Sequence, residues 1–149
     1  LKRGRGLLGL REVVTLYAER QSGYLTRLRP DRTGHSWDID GTTWALRRVR
    51  GLRGRATLEC HGQTLAALQY RGRQMETWTE IVYDDVGYRL CHHPDAPDGF
   101  VLRDDGDQPA LEICGPQVTL TRALPLPLVA TVVARALYES AFRPEKGEL

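Results

Sequence analysis

The sequence predicts a small, mainly β domain (α+β by element count): a closed or nearly closed antiparallel β-barrel of about 10–12 short strands with a C-terminal buried hydrophobic helix. Three observations predict it. From Ser36 onward, short β-favouring runs alternate with Gly, Asp-Gly, His-Gly or Pro. Residues 126–138 are nearly all apolar. The length of 149 residues fits one domain, with barrel and helix in about 10–141 and tails in 1–9 and 142–149.

The first half of the chain contains two predicted hairpins. In each, a β-favouring run precedes a dipeptide that accepts positive φ angles, Asp40-Gly41 in one and His61-Gly62 in the other. Residues 10–17 fit both a helical face and a strand, and their Val-Val-Thr-Leu-Tyr run favours the strand. The other predicted strands here are residues 24–28, 37–39, 42–47, 56–60 and 64–70.

The second half continues the meander. Residues 75–84 show the period-two pattern of a strand with one packed face. One set of side chains is Met75, Thr77, Thr79, Ile81 and Tyr83, and it alternates with Glu76, Trp78, Glu80, Val82 and Asp84. The total of roughly ten or eleven short strands is too many for one open sheet to stay uncurled, which favours a barrel or a sandwich. The remaining predicted strands are residues 87–91, 100–103, 110–113 and 117–122, with turns at Asp105-Gly106 and Gly115-Pro116.

The last predicted element differs from an ordinary surface helix. In residues 125–137 the only polar side chains are Thr131 and Arg135, which lie on one line with Glu139 at a spacing of four. A helix that is apolar nearly all round is buried in protein or lies in a membrane. About 13 residues span only about 20 Å, less than the roughly 30 Å of a bilayer core, so the segment predicts burial in protein and no transmembrane span.

Positive charge is concentrated in the first part of the chain. Of 21 basic residues only two are lysines, so arginine abundance alone points to no particular ligand. Residues 1–55 hold 13 basic and 5 acidic side chains, whereas residues 56–149 hold 8 and 14. Such asymmetry can steer an anionic partner to one side of a protein, although an ordinary solvated surface can also carry it.

The three cysteines predict a reducing compartment. Cys60, Cys91 and Cys114 are odd in number and far apart, and two lie in alternating apolar runs, which indicates reduced core thiols. The basic residues near the start precede only a short apolar patch, residues 7–10, so no secretory signal is visible. We therefore expect a cytoplasmic protein.

The candidate binding site is the densest basic run, which lies in a predicted hairpin-end loop containing Gly51 and Gly54. Guanidinium groups on a glycine-containing loop suit the phosphates of lipid headgroups or nucleic acid, and the nearby Trp44 could enter a membrane interface or stack on a base. A plain solvated loop would have the same composition. The run comprises Arg47, Arg48, Arg50, Arg53 and Arg55.

The sequence motifs give little support for a metal site or a cofactor site. Cys60-His61 and Cys91-His92-His93 contain zinc-ligand types, but no Cys-x-x-Cys occurs and adjacent strand residues point to opposite faces. Glycine-rich phosphate motifs are absent from the sequence. We therefore predict no metal, no cofactor and no catalytic residue.

The pattern of strands leading into a C-terminal apolar helix resembles the tubby C-terminal-like superfamily, in particular its LURP-one-related and phospholipid-scramblase-like branch. The likeness covers about residues 10–141 and rests on residues 37–47, residues 100–113 around Asp104-Asp105-Gly106, the strand end Ile113-Cys114-Gly115, and residues 124–138. It implies a closed barrel wrapped around a central hydrophobic helix. The chain is short for that barrel, and Arg135 departs from the family preference for apolar or small helix residues. A pleckstrin-homology-like barrel is the main alternative, but its helix would be amphipathic.

The resemblance also raises the question of calcium, with which scramblase-like proteins are associated. The candidate oxygen ligands match no EF-hand spacing, and Asp-Gly pairs also simply form turns. These candidates are Asp84, Asp85, Asp104, Asp105 and Asp107.

Three functions remain open at this point. The first is a non-enzymatic binding or scaffold module of the LURP-one/tubby-like kind that contacts anionic phospholipid headgroups through the arginine run. The second is a nucleic-acid-binding β-barrel that uses the same arginines with Trp37 or Trp44 as stacking platforms. The third is a small enzyme built on Glu80, Cys91 and His92, which requires that these three side chains meet in one pocket.

Overall fold

The computed structural model describes residues 2–5, 12–18, 23–52 and 54–137. They form one twelve-stranded antiparallel sheet in which each strand pairs with its neighbours in sequence. In this part of the chain one helix, α1 (Leu126–Leu137), follows the last strand. The strands are β1 (Lys2–Arg5), β2 (Glu12–Leu16), β3 (Thr26–Pro30), β4 (Gly34–Ile39), β5 (Thr42–Arg48), β6 (Arg55–Cys60), β7 (Gln63–Arg73), β8 (Glu76–Tyr83), β9 (Val86–His92), β10 (Phe100–Asp104), β11 (Pro109–Cys114) and β12 (Gln117–Leu120).

The turns explain why the strands follow one another as a meander. Asp40-Gly41 and His61-Gly62 have φ angles of 51° and 79°, and of 53° and 74°, so both predicted two-residue hairpins are confirmed. The β8–β9 turn contains no glycine. There Asp84 and Asp85 adopt φ angles of 50° and 61°, a region that aspartate enters more readily than most residues.

Helix α1 lies at the centre of the hydrophobic core. Every residue from position 128 to position 136 is buried, so no side of this segment faces solvent. The helix packs in one cluster with inward-facing strand residues, among them Leu46, Leu68, Ile81 and Leu111. Because a single sheet supplies these strands, it must curl around the helix. The predicted C-terminal helix is confirmed over Leu126–Leu137 and its burial over residues 128–136, and Tyr138 lies outside the described residues.

The two polar side chains of α1 are accommodated without reaching solvent. The Thr131 hydroxyl donates a hydrogen bond to the Pro127 carbonyl, four residues earlier, at 2.7 Å. Arg135 is 1% exposed, and its guanidinium carbon lies 5.4 Å from the centre of the Tyr70 ring, within the range of a cation–π contact. Both side chains are therefore enclosed by the protein, with Arg135 against Tyr70 of β7, and Glu139 lies outside the described residues.

Closure of the barrel is not seen. Among the described residues no ladder joins β12 to β1 or β2, so the sheet is curled but open. A groove of about 490 Å³ lies at this open side, lined mainly by apolar residues such as Leu16, Leu25, Val118, Leu120 and Val129. Strand β1 falls within residues 1–9, where the sequence offers little β-favouring character.

The connections place a group of arginines at one end of the sheet and a group of aspartates at the other, although Asp31, Asp95 and Asp98 also lie in connections at the arginine end. One end carries the β3–β4, β5–β6, β7–β8, β9–β10 and β11–β12 connections, and the opposite end carries the β2–β3, β4–β5, β6–β7, β8–β9 and β10–β11 connections. We call the first end the arginine rim, because Arg32, Arg48, Arg50, Arg55 and Arg73 lie in or beside its connections. The opposite rim carries Asp40, Asp84, Asp85, Asp105 and Asp107 in its turns. Alternating strand direction thus sorts these charges onto separate ends of the molecule.

Candidate anion-binding rim

The β5–β6 connection gathers most of the arginines that the sequence singled out. Arg48 ends β5, Arg50 lies in the connection and Arg55 begins β6, and all three are exposed. The connection is closed by the Val49 N–H, which donates to the Arg55 carbonyl at 2.9 Å, and by the Leu52 N–H, which donates to the Val49 carbonyl at 3.2 Å. Arg53 lies outside the described residues.

The hydrogen-bond partners of these arginines differ in charge. Arg47 is partly neutralised, since its Nε lies 3.3 Å from a Glu59 carboxylate oxygen while Nη1 donates to the Thr33 hydroxyl at 2.7 Å. Arg48 donates from Nη2 to a backbone carbonyl, that of Arg32, at 2.9 Å. Arg55 donates from Nε to the neutral Gln69 amide oxygen at 2.5 Å. A neutral acceptor thus positions Arg55 and leaves its positive charge available to an anion.

Arg32 joins this group through a rigid turn between β3 and β4. An oxygen of Asp31 accepts hydrogen bonds from the Thr33 and Gly34 N–H groups, each at 2.8 Å. Partial burial alone would raise the pKa of Asp31, but these hydrogen bonds, with the positive charge of Arg47, outweigh it and lower that pKa. The carboxylate therefore stays ionised and holds the turn in place beside Arg48.

Two apolar side chains project from the same rim. Leu52, in the β5–β6 connection, is 48% exposed, and Met75, at the tip of the β7–β8 hairpin, is 98% exposed. Strand β7 pairs with β6 only as far as Gln69 opposite Arg55, and then continues to Arg73. The hairpin therefore projects beyond the start of β6. The arginine rim combines basic side chains with two exposed apolar tips.

The structure places Trp44 away from these residues. Four residues of strand, or about 13 Å, separate it from Arg48, and it is half-buried against the hydrophobic core. Trp37, which is 1% exposed, is part of that core. Trp44 therefore lies away from the arginine loop, and Trp37 cannot stack on a base without unfolding.

The candidate enzyme residues do not meet. Glu80 pairs with Arg71 at 3.1 Å on the outer face of the sheet. Cys91 also faces outward opposite Trp78, and burial raises the pKa of its thiol, which favours the unreactive neutral form. His92 lies on the inner side, with its ring centre 5.2 Å from that of Phe100. Glu80, Cys91 and His92 therefore assemble no catalytic site.

The cysteines and possible metal ligands differ in part from expectation. All three thiols are free, but only Cys60 is buried, whereas Cys91 is half-buried and Cys114 is exposed. In the described part of the chain, the one group of three metal-ligating side chains is His93, Glu112 and Cys114. The aspartates that we considered for calcium form no such group among those residues.

Comparisons with known proteins leave function to be argued from geometry. No family model, no curated protein and no solved structure matches the chain. Among the described residues, no helix has both the length and the apolar character needed to cross a membrane.

Proposed function

We propose that this chain is a non-enzymatic, cytoplasmic binding module of the LURP-one/tubby-like kind, and that its arginine rim binds anionic phospholipid surfaces. The curled sheet around a buried apolar helix supports the family assignment, since that arrangement is what the resemblance implies. Three free thiols suit a reducing compartment.

The observation that carries the proposal is the pairing of exposed apolar tips with arginines on one rim. A soluble phosphate or a nucleic acid backbone would need only the arginines. An exposed methionine and leucine gain free energy when they enter the apolar boundary of a bilayer, whereas in water they are a cost. Leu52 and Met75 therefore favour a lipid surface over other anions.

Membrane binding of useful strength needs both the electrostatic contribution of the arginines and the apolar contribution of Leu52 and Met75. A basic residue near an anionic membrane contributes about 1 kcal/mol, and full burial of a large apolar side chain contributes about 1.5–3 kcal/mol. Three arginines and two apolar tips then contribute roughly 6–9 kcal/mol. The entropic cost of association reduces this sum, so we expect a dissociation constant that is micromolar or weaker. Such binding should weaken as salt screens the arginines.

Charge reversal at the rim tests the electrostatic part. The double variant Arg50→Glu, Arg55→Glu should abolish sedimentation of the protein with phosphatidylserine-containing vesicles at low salt, because attraction to the surface becomes repulsion. Phosphatidylcholine vesicles should sediment neither protein. The matched control is Arg27→Glu, an exposed β3 residue near the opposite end of the sheet, which should bind like the unmodified chain.

Two results would overturn this part of the proposal. One is unchanged sedimentation of the double variant. The other is steeply salt-dependent binding to a single-stranded oligonucleotide without vesicle binding, which would select the nucleic-acid alternative.

A further inference from the structure

His93, Glu112 and Cys114 come together where the β9–β10 loop crosses to strand β11. Their candidate ligand atoms all lie within 4.8 Å of one another, and His93 Nε2 lies 3.8 Å from Glu112 Oε2. We propose that these three side chains form a site for a divalent transition-metal ion, and that Zn²⁺ is the ion it fits best. This site shares no residue with the proposed lipid-binding side chains, although the β9–β10 loop lies at the same end of the sheet.

The separations suit tetrahedral coordination. Zinc bonds to nitrogen, oxygen and sulfur are about 2.0–2.3 Å long, which places the ligand atoms of a tetrahedron roughly 3.3–3.8 Å apart. The His93–Glu112 pair already has this spacing. The remaining atoms must approach by at most about 1 Å, a shift that rotation of the exposed Cys114 side chain can supply.

The loop that carries His93 is held in place before any ion binds. The His93 N–H donates to the Gly99 carbonyl at 2.9 Å, and the Gly99 N–H donates to the Ala96 carbonyl at 3.0 Å. A Cβ atom at Gly99 would lie 3.0 Å from the His93 Cβ and 2.9 Å from the Ile113 carbonyl oxygen. The missing side chain at Gly99 therefore lets the histidine lie close to β11.

The donor set selects among ions. A thiolate and an imidazole favour borderline or soft ions, whereas Ca²⁺ and Mg²⁺ prefer sites made only of oxygen. Three protein ligands leave the fourth position of zinc to water, since the half-exposed Glu112 and the exposed Cys114 keep the site open to solvent.

Metal binding must move two protons. The Asp95 N–H donates to His93 Nδ1 at 3.0 Å, so the neutral ring carries its own proton on Nε2. Coordination through Nε2 transfers that ring proton to Nδ1, and the Asp95 N–H must give up its acceptor. The Cys114 thiol releases its proton to solvent and binds as thiolate. The amide of Asp95 therefore reports on metal at the site.

Cobalt substitution tests the site directly. With the full chain under a phosphine reductant at neutral pH, Co²⁺ should bind at one ion per chain and give a thiolate-to-cobalt charge-transfer band that Zn²⁺ removes. Zn²⁺ should also shift the Asp95 amide resonance. Cys114→Ser should lose the band, and Glu112→Gln should weaken binding. Both residues are solvent-accessible, so circular dichroism should show an intact fold.

The matched control is Cys91→Ser, which removes a second thiol that also adjoins a histidine but lies outside the cluster. It should keep the band and the Asp95 shift. The proposal is overturned if the unmodified chain gives no charge-transfer band, if the band persists in Cys114→Ser, or if it disappears in Cys91→Ser.

Discussion

Replacing Val133 by aspartate should leave almost no folded protein at room temperature. Val133 is fully buried in the middle of α1, and neighbouring helix residues are buried as well. The substitution removes an apolar contact worth about 1.5–3 kcal/mol and adds a buried carboxyl group that costs several more. The total of about 5 kcal/mol or more equals the whole stability of many small domains.

Urea titrations followed by circular dichroism measure this effect. The milder variant Val133→Ala should remain folded and lose about 2–3 kcal/mol, which gives a quantity that can be measured. The control is Val82→Asp on the outer face of β8, where the valine is 48% exposed and the cost should be about 1 kcal/mol. Equal effects at the two positions would show that α1 is not enclosed by the sheet.

Replacing Gly34 by alanine should destabilise the protein by about 3–5 kcal/mol, although it adds only one methyl group. A Cβ atom there would lie 1.8 Å from the Leu46 carbonyl oxygen and 2.9 Å from the Leu46 carbonyl carbon, both in the backbone of the neighbouring strand. Strands β4 and β5 must therefore move apart near Gly34 to make room for the methyl group. The same movement would strain the turn in which Asp31 binds the Gly34 N–H.

Gly62→Ala is the matched control for this clash. Gly62 has a φ of +74°, and no atom lies within 4 Å of the position that a methyl group would take there. Alanine at this position should therefore cost only the strain of a left-handed conformation, about 1–2 kcal/mol. The two free energies of unfolding are compared by urea titration. If Gly34→Ala costs no more than Gly62→Ala, the close approach of β4 to β5 is not present in solution.

Local signals were sufficient to predict most elements of the fold. Asp40-Gly41 and His61-Gly62 indicate hairpins because few residues tolerate their backbone angles. The apolar surface of α1 indicates burial because only Thr131 and Arg135 interrupt it. Each of these inferences depends on residues that are close together in the sequence.

The structure differs from expectation where local pattern and three-dimensional position disagree. Met75 continues an alternating apolar series, yet the chain reverses at Gln74, which has a φ of 56° although no glycine marks the turn. Trp44 is near the arginines in sequence but lies far along the strand from their loop. Closure of the barrel depends on pairing between the two ends of the sheet, which no local pattern determines.

The His93 cluster could not be predicted from spacing. Its ligands come from the β9–β10 loop and from β11, and they meet only because β9, β10 and β11 are neighbours in the sheet. The adjacent pairs Cys60-His61 and Cys91-His92 look more like metal sites in the sequence, but a strand directs adjacent side chains to opposite faces. The strand register brings together residues that are far apart in the chain, and it places Cys114, not Cys60 or Cys91, beside His93 and Glu112.

The proposed lipid binding depends on the two apolar tips that lie beside the arginines of the arginine rim. The most direct test compares vesicle sedimentation of the unmodified chain with that of the double variant Leu52→Ser, Met75→Ser, which keeps every arginine. We predict at least about a tenfold loss of affinity for phosphatidylserine vesicles, because two apolar side chains no longer enter the bilayer. The control Val82→Ser, on the outer face of β8, should bind normally. Unchanged affinity of the double variant would show that these side chains do not enter the bilayer and that the arginine rim is not a lipid-binding surface of this kind.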